Sequence, residues 1–187
     1  LIIKKKPRNT LKTLNNFLSE DKNRENLDCA VKMIKNTRNT NALIYIIGNG
    51  GSAAVAEHAA IDFTKNAGLR SLALSGSPMM TTFSNDYGYE KIFQKGIEHF
   101  CNEGDILIAI SSGGTSKNII NACKAAKIKK MNIITFYGFE KNNPLSQEGE
   151  INFWVDSKAY GFIEIIHGLL IHYINDVIIG KMEYMIR

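Results

Sequence analysis

The sequence has few cysteines, and their arrangement does not resemble a disulfide framework. The 187-residue chain contains three, Cys29, Cys101 and Cys123, which are widely spaced and odd in number. None has the CxxC partner of a redox or zinc motif. Small secreted domains that depend on disulfides carry paired cysteines at much higher density. The pattern therefore indicates reduced thiols with structural roles, as in a cytoplasmic protein.

Long apolar runs are also missing. The longest, residues 106–110 and 165–171, are short or interrupted by His and Gly, whereas a membrane-spanning helix needs about 20 apolar residues. No segment at the start has the character of a secretory signal peptide. We therefore expect a soluble, cytoplasmic protein without a membrane partner.

The charge excess is too small and too dispersed to indicate nucleic-acid binding. The net charge of +5 arises largely from "KKKPR" (residues 4–8) and "KAAKIKK" (residues 124–130). The second segment ends an amphipathic helical pattern, where cations favour the negative end of the helix dipole. We interpret both segments as solvated surfaces. The length and the 44% hydrophobic content are typical of one compact globular domain.

Short apolar segments alternate with helical patterns along the chain. Strands are predicted over residues 43–47, 72–74, 106–110, 133–137 and 151–155. Helices are predicted over residues 11–18, 25–36, 53–65, 78–83, 90–101, 116–127 and 163–179. The loop of residues 138–149 is either mobile or holds one helical turn. This alternation predicts an α/β fold with a five-stranded, doubly wound parallel sheet in flavodoxin-like order.

Two turns rich in small residues follow predicted strands and lead into predicted helices. They are "GNGGS" (residues 48–52) and "SSGGTS" (residues 111–116). Unpaired N–H groups and the positive end of a helix dipole favour an anion at such turns. The second turn adds hydroxyls and has neither the lysine of a P-loop nor a dinucleotide fingerprint. A phosphorylated small molecule fits better than a nucleotide, although Ser116 as a simple helix cap remains open.

Polar residues also interrupt two helical patterns. His58 and Asp62 lie four residues apart and so share a helix face. In a later apolar helix, Glu164 and His172 are eight residues apart, about 12 Å along the axis and about 80° around it. If both serve one site, a second subunit must supply one of them, unless the helix starts late or bends. The same helix contains His167, which is either functional or buried and structural.

In their order along the chain, these motifs resemble the sugar isomerase (SIS) domain family, and within it the phosphoheptose isomerases. The similarity covers nearly the whole chain and includes "NDYGYEKIF" (residues 85–93) and "YGFIEIIHGLLIH" (residues 160–172). It implies a single SIS domain over residues 1–187, with N-terminal helices in 1–40 and an α/β core and C-terminal helix in 41–187. It also implies no nucleotide, and a homotetramer whose active sites lie between subunits.

The resemblance also implies roles for individual residues. Asp62 and His172 would carry out proton transfers, and Asn49 and Asp86 would line the pocket. The sugar phosphate would bind at the turns that contain Gly50, Gly51, Ser52, Ser111, Ser112, Gly113 and Ser116, with Glu164 also in the substrate site. Some family members bind zinc, and the corresponding ligands here would be His58, Asp62, Glu164 and His172.

Three positions depart from the family pattern. Asp62 replaces the usual Glu, Glu164 replaces the usual Gln, and Gly113 replaces a hydroxyl residue of the phosphate loop. Together, Asp62 and Glu164 would bring two negative charges to a divalent metal.

The activity implied is aldose–ketose isomerisation of sedoheptulose 7-phosphate to D-glycero-D-manno-heptose 7-phosphate through an enediol. Such a heptose would supply lipopolysaccharide or capsule synthesis. The alternative is a non-catalytic SIS protein that senses a phosphosugar or binds a partner, like the family's replication-initiator-associating members. Retention of both Asp62 and His172 favours the enzyme.

Overall fold

A computed structural model describes residues 8–74 and 76–182 of the chain. The outermost residues of the predicted domain, 1–7 and 183–187, lie outside the described residues, as do positions 4–7 of the basic N-terminal segment. The helices are α1 (Arg8–Ser19), α2 (Asp21–Thr40), α3 (Gly51–Lys65), α4 (Ser77–Tyr87), α5 (Ile92–Phe100), α6 (Lys117–Ile128) and α7 (Tyr160–Ile179). The strands are β1 (Ile44–Gly48), β2 (Ser71–Ala73), β3 (Ile106–Ser111), β4 (Asn132–Tyr137) and β5 (Ile151–Trp154).

The five strands form one parallel sheet in the order β2-β1-β3-β4-β5, which confirms the predicted fold class. All residues of β1 and β3 are buried, as expected for strands covered by helices on both faces. Their side chains alternate between two apolar clusters. Ile46 and Ile108 face the side that holds α2, α3 and α7, whereas Tyr45 and Leu107 face the side that holds α5 and α6.

The parallel register places the two small-residue turns side by side. Gly48, the last residue of β1, pairs with Ile110 near the end of β3. The turn of residues 48–52 and the turn of residues 111–116 therefore leave the same edge of the sheet from neighbouring strands. This is the edge at which doubly wound proteins bind ligands.

Some predicted element boundaries differ from the observed ones. The predicted helix of residues 90–101 is divided into a 3₁₀ turn, Tyr89–Lys91, and α5. Helix α4 extends to Tyr87 and ends at Gly88, whose φ of +85° is unfavourable for other residues. The loop of residues 138–149 contains a 3₁₀ turn, Pro144–Gln147. Of the two alternatives for this loop, the structure therefore shows the helical turn.

Helix α7 is more apolar than the short runs in the sequence suggested. Its 20 residues have a window of mean hydropathy 1.5, so by length and composition alone it could cross a membrane. The expectation that no segment is long enough was therefore wrong, because scattered polar residues hardly lower the average. Its contacts are with α3, α2 and β4, and Ile163, Leu170 and Ile174 are buried in the main apolar cluster. These contacts explain the apolar residues on its buried face, whereas other apolar residues of the helix are exposed.

The cysteines are unpaired, as predicted. Cys101 and Cys123 are buried, whereas Cys29 is exposed. Burial raises the pKa of each buried thiol to about 12, so neither forms a reactive thiolate near neutral pH.

Candidate active site

The candidate site is built on α3 and α7, which pack side by side in the same direction. Glu164, in the first turn of α7, lies against Gly51 at the start of α3. One turn further along, Gly168 faces Val55. Near the C-terminal end of α3, Asp62 contacts His172 of α7. Small residues at the first two contacts allow close approach of the helices, and the shared direction places α7 side chains beside α3 side chains along their length.

His58, Asp62 and His172 form one cluster within a single chain. The Asp62 Oδ2 atom lies 3.1 Å from His172 Nδ1 and 3.6 Å from His58 Nε2. The two imidazole rings pack edge to face, with centroids 4.7 Å apart. Asp62 Oδ1 accepts a hydrogen bond from Asn66 at 3.1 Å. The Asp62 side chain is 15% exposed, whereas His172 is 44% and His58 63% exposed, so the carboxylate is held inside while both rings reach solvent.

The donor set of this cluster suits a divalent metal. One nitrogen or oxygen atom from each residue lies within 4.8 Å of the others. Histidine and carboxylate are ordinary zinc ligands, and catalytic zinc sites commonly use three protein ligands and leave a fourth position open. The three residues could therefore hold a metal ion.

Glu164 lies apart from this cluster. Helix α7 is continuous from Tyr160 to Ile179, so it does not start late, and Glu164 is about 12 Å from His172 along the axis. The Glu164 carboxylate is so close to Gly51 that a side chain there would collide with it. The structure thus brings together three of the four predicted metal ligands and places the fourth at the first turn.

Glycines shape the first turn and its approach to α3. Gly50 has φ +55° at the N-terminal end of α3. A Cβ at Gly48 would collide with the backbone of Ser52. The N–H of Ser52 bonds to the carbonyl of Asn49 at 3.0 Å, and Ser52 is buried. This compact turn brings the N-terminus of α3 back towards the end of β1.

The second turn holds hydroxyls that are not used to cap α6. Ser116 occupies the N-cap position, but its side chain makes no capping hydrogen bond in the described part of the chain. The Ser116 hydroxyl instead lies 3.4 Å from the Ser111 hydroxyl. The Ser111 hydroxyl oxygen also accepts a hydrogen bond from the Gly114 N–H at 3.2 Å. The buried Ser112 hydroxyl has no partner among residues 8–74 and 76–182. The structure therefore does not support Ser116 as a simple cap, and the Ser112 hydroxyl remains available to a ligand.

Asn49 belongs to a polar network that the sequence analysis missed. Its side-chain amide exchanges two hydrogen bonds of 2.9 Å with the amide of Asn118. Its carbonyl oxygen also accepts the Tyr89 hydroxyl at 3.0 Å. Asn118 is buried on α6 beside Ile119 and Ala122. In the sequence, the position of Asn118 on the apolar face of a predicted helix was the feature that could have indicated this network.

Asp86 and His167 lie away from the cluster. Asp86 is exposed on α4 and accepts a hydrogen bond from Asn85 at 2.8 Å. His167 is fully buried, and its Nε2 lies 3.3 Å from the carbonyl oxygen of Tyr137. Burial lowers the pKa of His167 to about 4, so the ring is neutral near pH 7. These observations favour the structural interpretation of His167.

Comparison with known proteins gives a consistent family relationship. The family profile described as SIS domain matches residues 9–138. Phosphoheptose isomerase from Pectobacterium atrosepticum is 32% identical, and the alignment covers 97% of this chain and 96% of the relative. The same enzyme from Sodalis glossinidius is 35% identical over 74% of each chain. The structure of phosphoheptose isomerase from Neisseria gonorrhoeae has a TM-score of 0.85 at 27% identity, covering 92% of this chain and 94% of that one.

Adjacent glycines of the second turn should tolerate substitution differently. A Cβ at Gly113 would have only the Thr115 hydroxyl nearby, at 3.8 Å. Gly114 has φ +65° and lies against the amide of Asn143, which is held by bonds to two carbonyl groups. We expect Gly113→Ser to change the free energy of unfolding by less than about 0.5 kcal/mol and Gly114→Ala to lower it by roughly 1–3 kcal/mol. Urea denaturation measures both, and equal effects would contradict this account of the turn.

Proposed function

The chain belongs to the SIS domain family, and we propose that it acts as a phosphoheptose isomerase, interconverting sedoheptulose 7-phosphate and D-glycero-D-manno-heptose 7-phosphate. It is an aldose–ketose isomerase. The observation that carries the proposal is the 3.1 Å contact between Asp62 Oδ2 and His172 Nδ1. Asp62 lies on α3, and the first small-residue turn leads into the N-terminal end of the same helix. Helix α3 would thus carry the phosphate site at its N-terminal end and one member of the acid–base pair near its C-terminal end.

The phosphate group is proposed to bind at the two turns. The first contributes Asn49, Gly50, Gly51 and Ser52, and the second contributes Ser111, Ser112, Gly113 and Ser116. Helix N-termini and hydroxyls stabilise a phosphate dianion. Ser52 and Asp62 are ten residues apart, about 15 Å along the α3 axis, and the sugar would extend from the turns towards Asp62 and His172. Glu164, beside Gly51, and Asp86 are proposed to contact sugar hydroxyls.

The reaction removes a proton from the hydroxyl-bearing carbon beside the carbonyl group to give an enediol and returns a proton to the former carbonyl carbon, while a second proton moves from the hydroxyl oxygen to the carbonyl oxygen. We assign this transfer to Asp62 and His172. Because His172 Nδ1 faces Asp62, Nε2 is the nitrogen left to exchange a proton with the substrate. The carboxylate fixes the orientation of the ring, and each positioned acid–base group is typically worth about 10²- to 10⁴-fold in rate.

Zinc is the proposed metal. His58, Asp62 and His172 would hold it, and Glu164 would join them only by moving or from a neighbouring subunit. When bound, the ion would polarise the carbonyl oxygen as a Lewis acid.

We propose a homotetramer with active sites between subunits, and the exposed apolar face of α7 supports this proposal. Ile165, Leu169, Tyr173 and Val177 recur every fourth residue on this helix and are all exposed. Ile61, beside Asp62 on α3, is exposed as well. A contiguous apolar surface of this kind marks a protein–protein interface. It borders His172, so a neighbouring subunit would close the cleft around the acid–base pair.

We place the enzyme in the cytoplasm, where it would supply heptose for lipopolysaccharide or capsule synthesis.

Turnover should depend on Asp62 and His172. We expect Asp62→Asn and His172→Asn each to lower kcat by at least about 100-fold while the far-ultraviolet circular dichroism is retained. Isomerisation of sedoheptulose 7-phosphate and proton exchange in D₂O measure this effect. Matched controls are Glu57→Gln and His99→Asn, which make similar changes at exposed residues.

A wild-type protein that binds sugar phosphates without isomerisation or exchange would contradict the enzyme and support the sensor. A mutant at Asp62 or His172 with the wild-type rate would contradict the assignment of that residue.

Metal analysis should find about one zinc ion per chain in protein purified without a histidine tag, because three ligands with one open position form a typical catalytic zinc site. His58→Asn should lower the metal content, and a chelator should remove both metal and activity. Protein that contains no stoichiometric metal and keeps full activity with chelator would exclude the metal.

The exposed face of α7 should determine the oligomeric state. Leu169→Glu places a charge in the proposed interface and should give smaller, folded species with reduced activity. Ile128→Glu is the control, because Ile128 is 83% exposed on α6, away from this surface. Light scattering coupled to gel filtration measures the mass. A tetramer that persists in Leu169→Glu, or a monomeric wild type, would contradict the proposal.

A further inference from the structure

Asn49 is held by residues from two distant parts of the chain. Asn118 lies in the first turn of α6, just after the second turn, and Tyr89 lies in the 3₁₀ turn that precedes α5. Both contact the Asn49 amide. The first turn is thereby joined to the helix that begins at the second turn.

The directions of these hydrogen bonds are fixed by one backbone group. The Ile119 N–H is shared between the Ser116 carbonyl oxygen at 3.1 Å and Asn118 Oδ1 at 3.0 Å, and because a backbone N–H can only donate, Asn118 Oδ1 must be an acceptor. The Asn49 atom facing Asn118 Oδ1 at 2.9 Å must therefore be the donor Nδ2. It follows that Asn49 Oδ1 accepts from both Asn118 Nδ2 and Tyr89.

This arrangement leaves Asn49 with one free group of defined character. Two donors occupy its carbonyl oxygen, and one of its two Nδ2 hydrogens bonds to Asn118. In the described part of the chain, the second Nδ2 hydrogen is left without an acceptor, and Asn49 is only half-buried. A freely rotating asparagine could offer either an oxygen or an N–H to a ligand, whereas this one can offer only N–H.

We propose that Asn118 and Tyr89 are positioning residues, which hold the Asn49 amide so that it donates to an oxygen atom of the bound sugar phosphate. This inference rests on the proposed function. Asn118 and Tyr89 act through Asn49 and do not touch the substrate. Because Asn49 lies at the phosphate end of the site, away from Asp62 and His172, the network contributes to binding and not to proton transfer.

A double-mutant cycle between Asn49 and Tyr89 tests this inference. Tyr89 is 56% exposed, so Tyr89→Phe removes one hydroxyl without disturbing the core. We expect Tyr89→Phe to raise both KM and the dissociation constant for sedoheptulose 7-phosphate about 2- to 10-fold, with kcat and Tm unchanged. In an Asn49→Ala background, the same substitution should have no further effect. Tyr87→Phe, at a neighbouring exposed tyrosine, is the control.

A second variant tests the direction of the bonds. Asn118→Asp keeps the side-chain volume but places an oxygen opposite Asn49 Oδ1, so it should weaken binding more than Tyr89→Phe does. A buried charge can also impair folding. If Asn118→Asp is unstable, the double-mutant cycle between Asn49 and Tyr89 alone decides the inference.

Three results would overturn the inference. The first is no change in binding for Tyr89→Phe. The second is an additive loss in the Asn49→Ala background, which would mean that Tyr89 acts independently of Asn49. The third is a fall in kcat and Tm together, which would indicate a structural role. A wild-type protein that binds the sugar phosphate without isomerising it would refute the proposed function, and the cycle on dissociation constants would still test the positioning role.

Discussion

The packing of α3 against α7 is the contact on which the candidate site depends. The two helices run in the same direction, with Gly51 and Gly168 allowing close approach. As a result, the start of α7 brings Glu164 to the first anion-ready turn, and its middle brings His172 to Asp62. The parallel sheet supplies the second constraint, because the pairing of Gly48 with Ile110 sets the two turns side by side. The proposed phosphate region and the proposed acid–base pair are then both carried by α3.

Much of this arrangement could be predicted from the sequence. Buried parallel strands are short apolar runs, so all five strands were recognisable, and glycine-rich turns after two of them indicated an anion site. The 12 Å spacing between Glu164 and His172 also followed from helix geometry. The family resemblance placed His172 and Asp62 in one site, but the spacing of 110 residues alone could not predict their contact, since it depends on how α7 packs on α3. The role of Asn118 was missed because an isolated asparagine in a helix has many explanations, and only its buried partner identifies it.

The three departures from the family pattern have different structural contexts. The shorter carboxylate of Asp62 still reaches His172, so the dyad is intact within one chain. The Glu164 carboxylate stands at the first turn, where it adds negative charge beside the proposed phosphate site. Gly113 leaves open space, so one hydroxyl is missing where room exists for it. Together these features keep the proposed acid–base pair in contact and change the surroundings of the proposed phosphate site.

A crystal structure with sedoheptulose 7-phosphate bound to the Asp62→Asn variant would test the central claim most directly. The account predicts that the phosphate contacts the backbone and hydroxyls of residues 49–52 and 111–116, and that the first two carbons of the sugar lie beside residue 62 and His172. A neighbouring subunit would close the cleft over the sugar. A phosphate bound elsewhere, or reacting carbons remote from the His172 imidazole, would contradict the account.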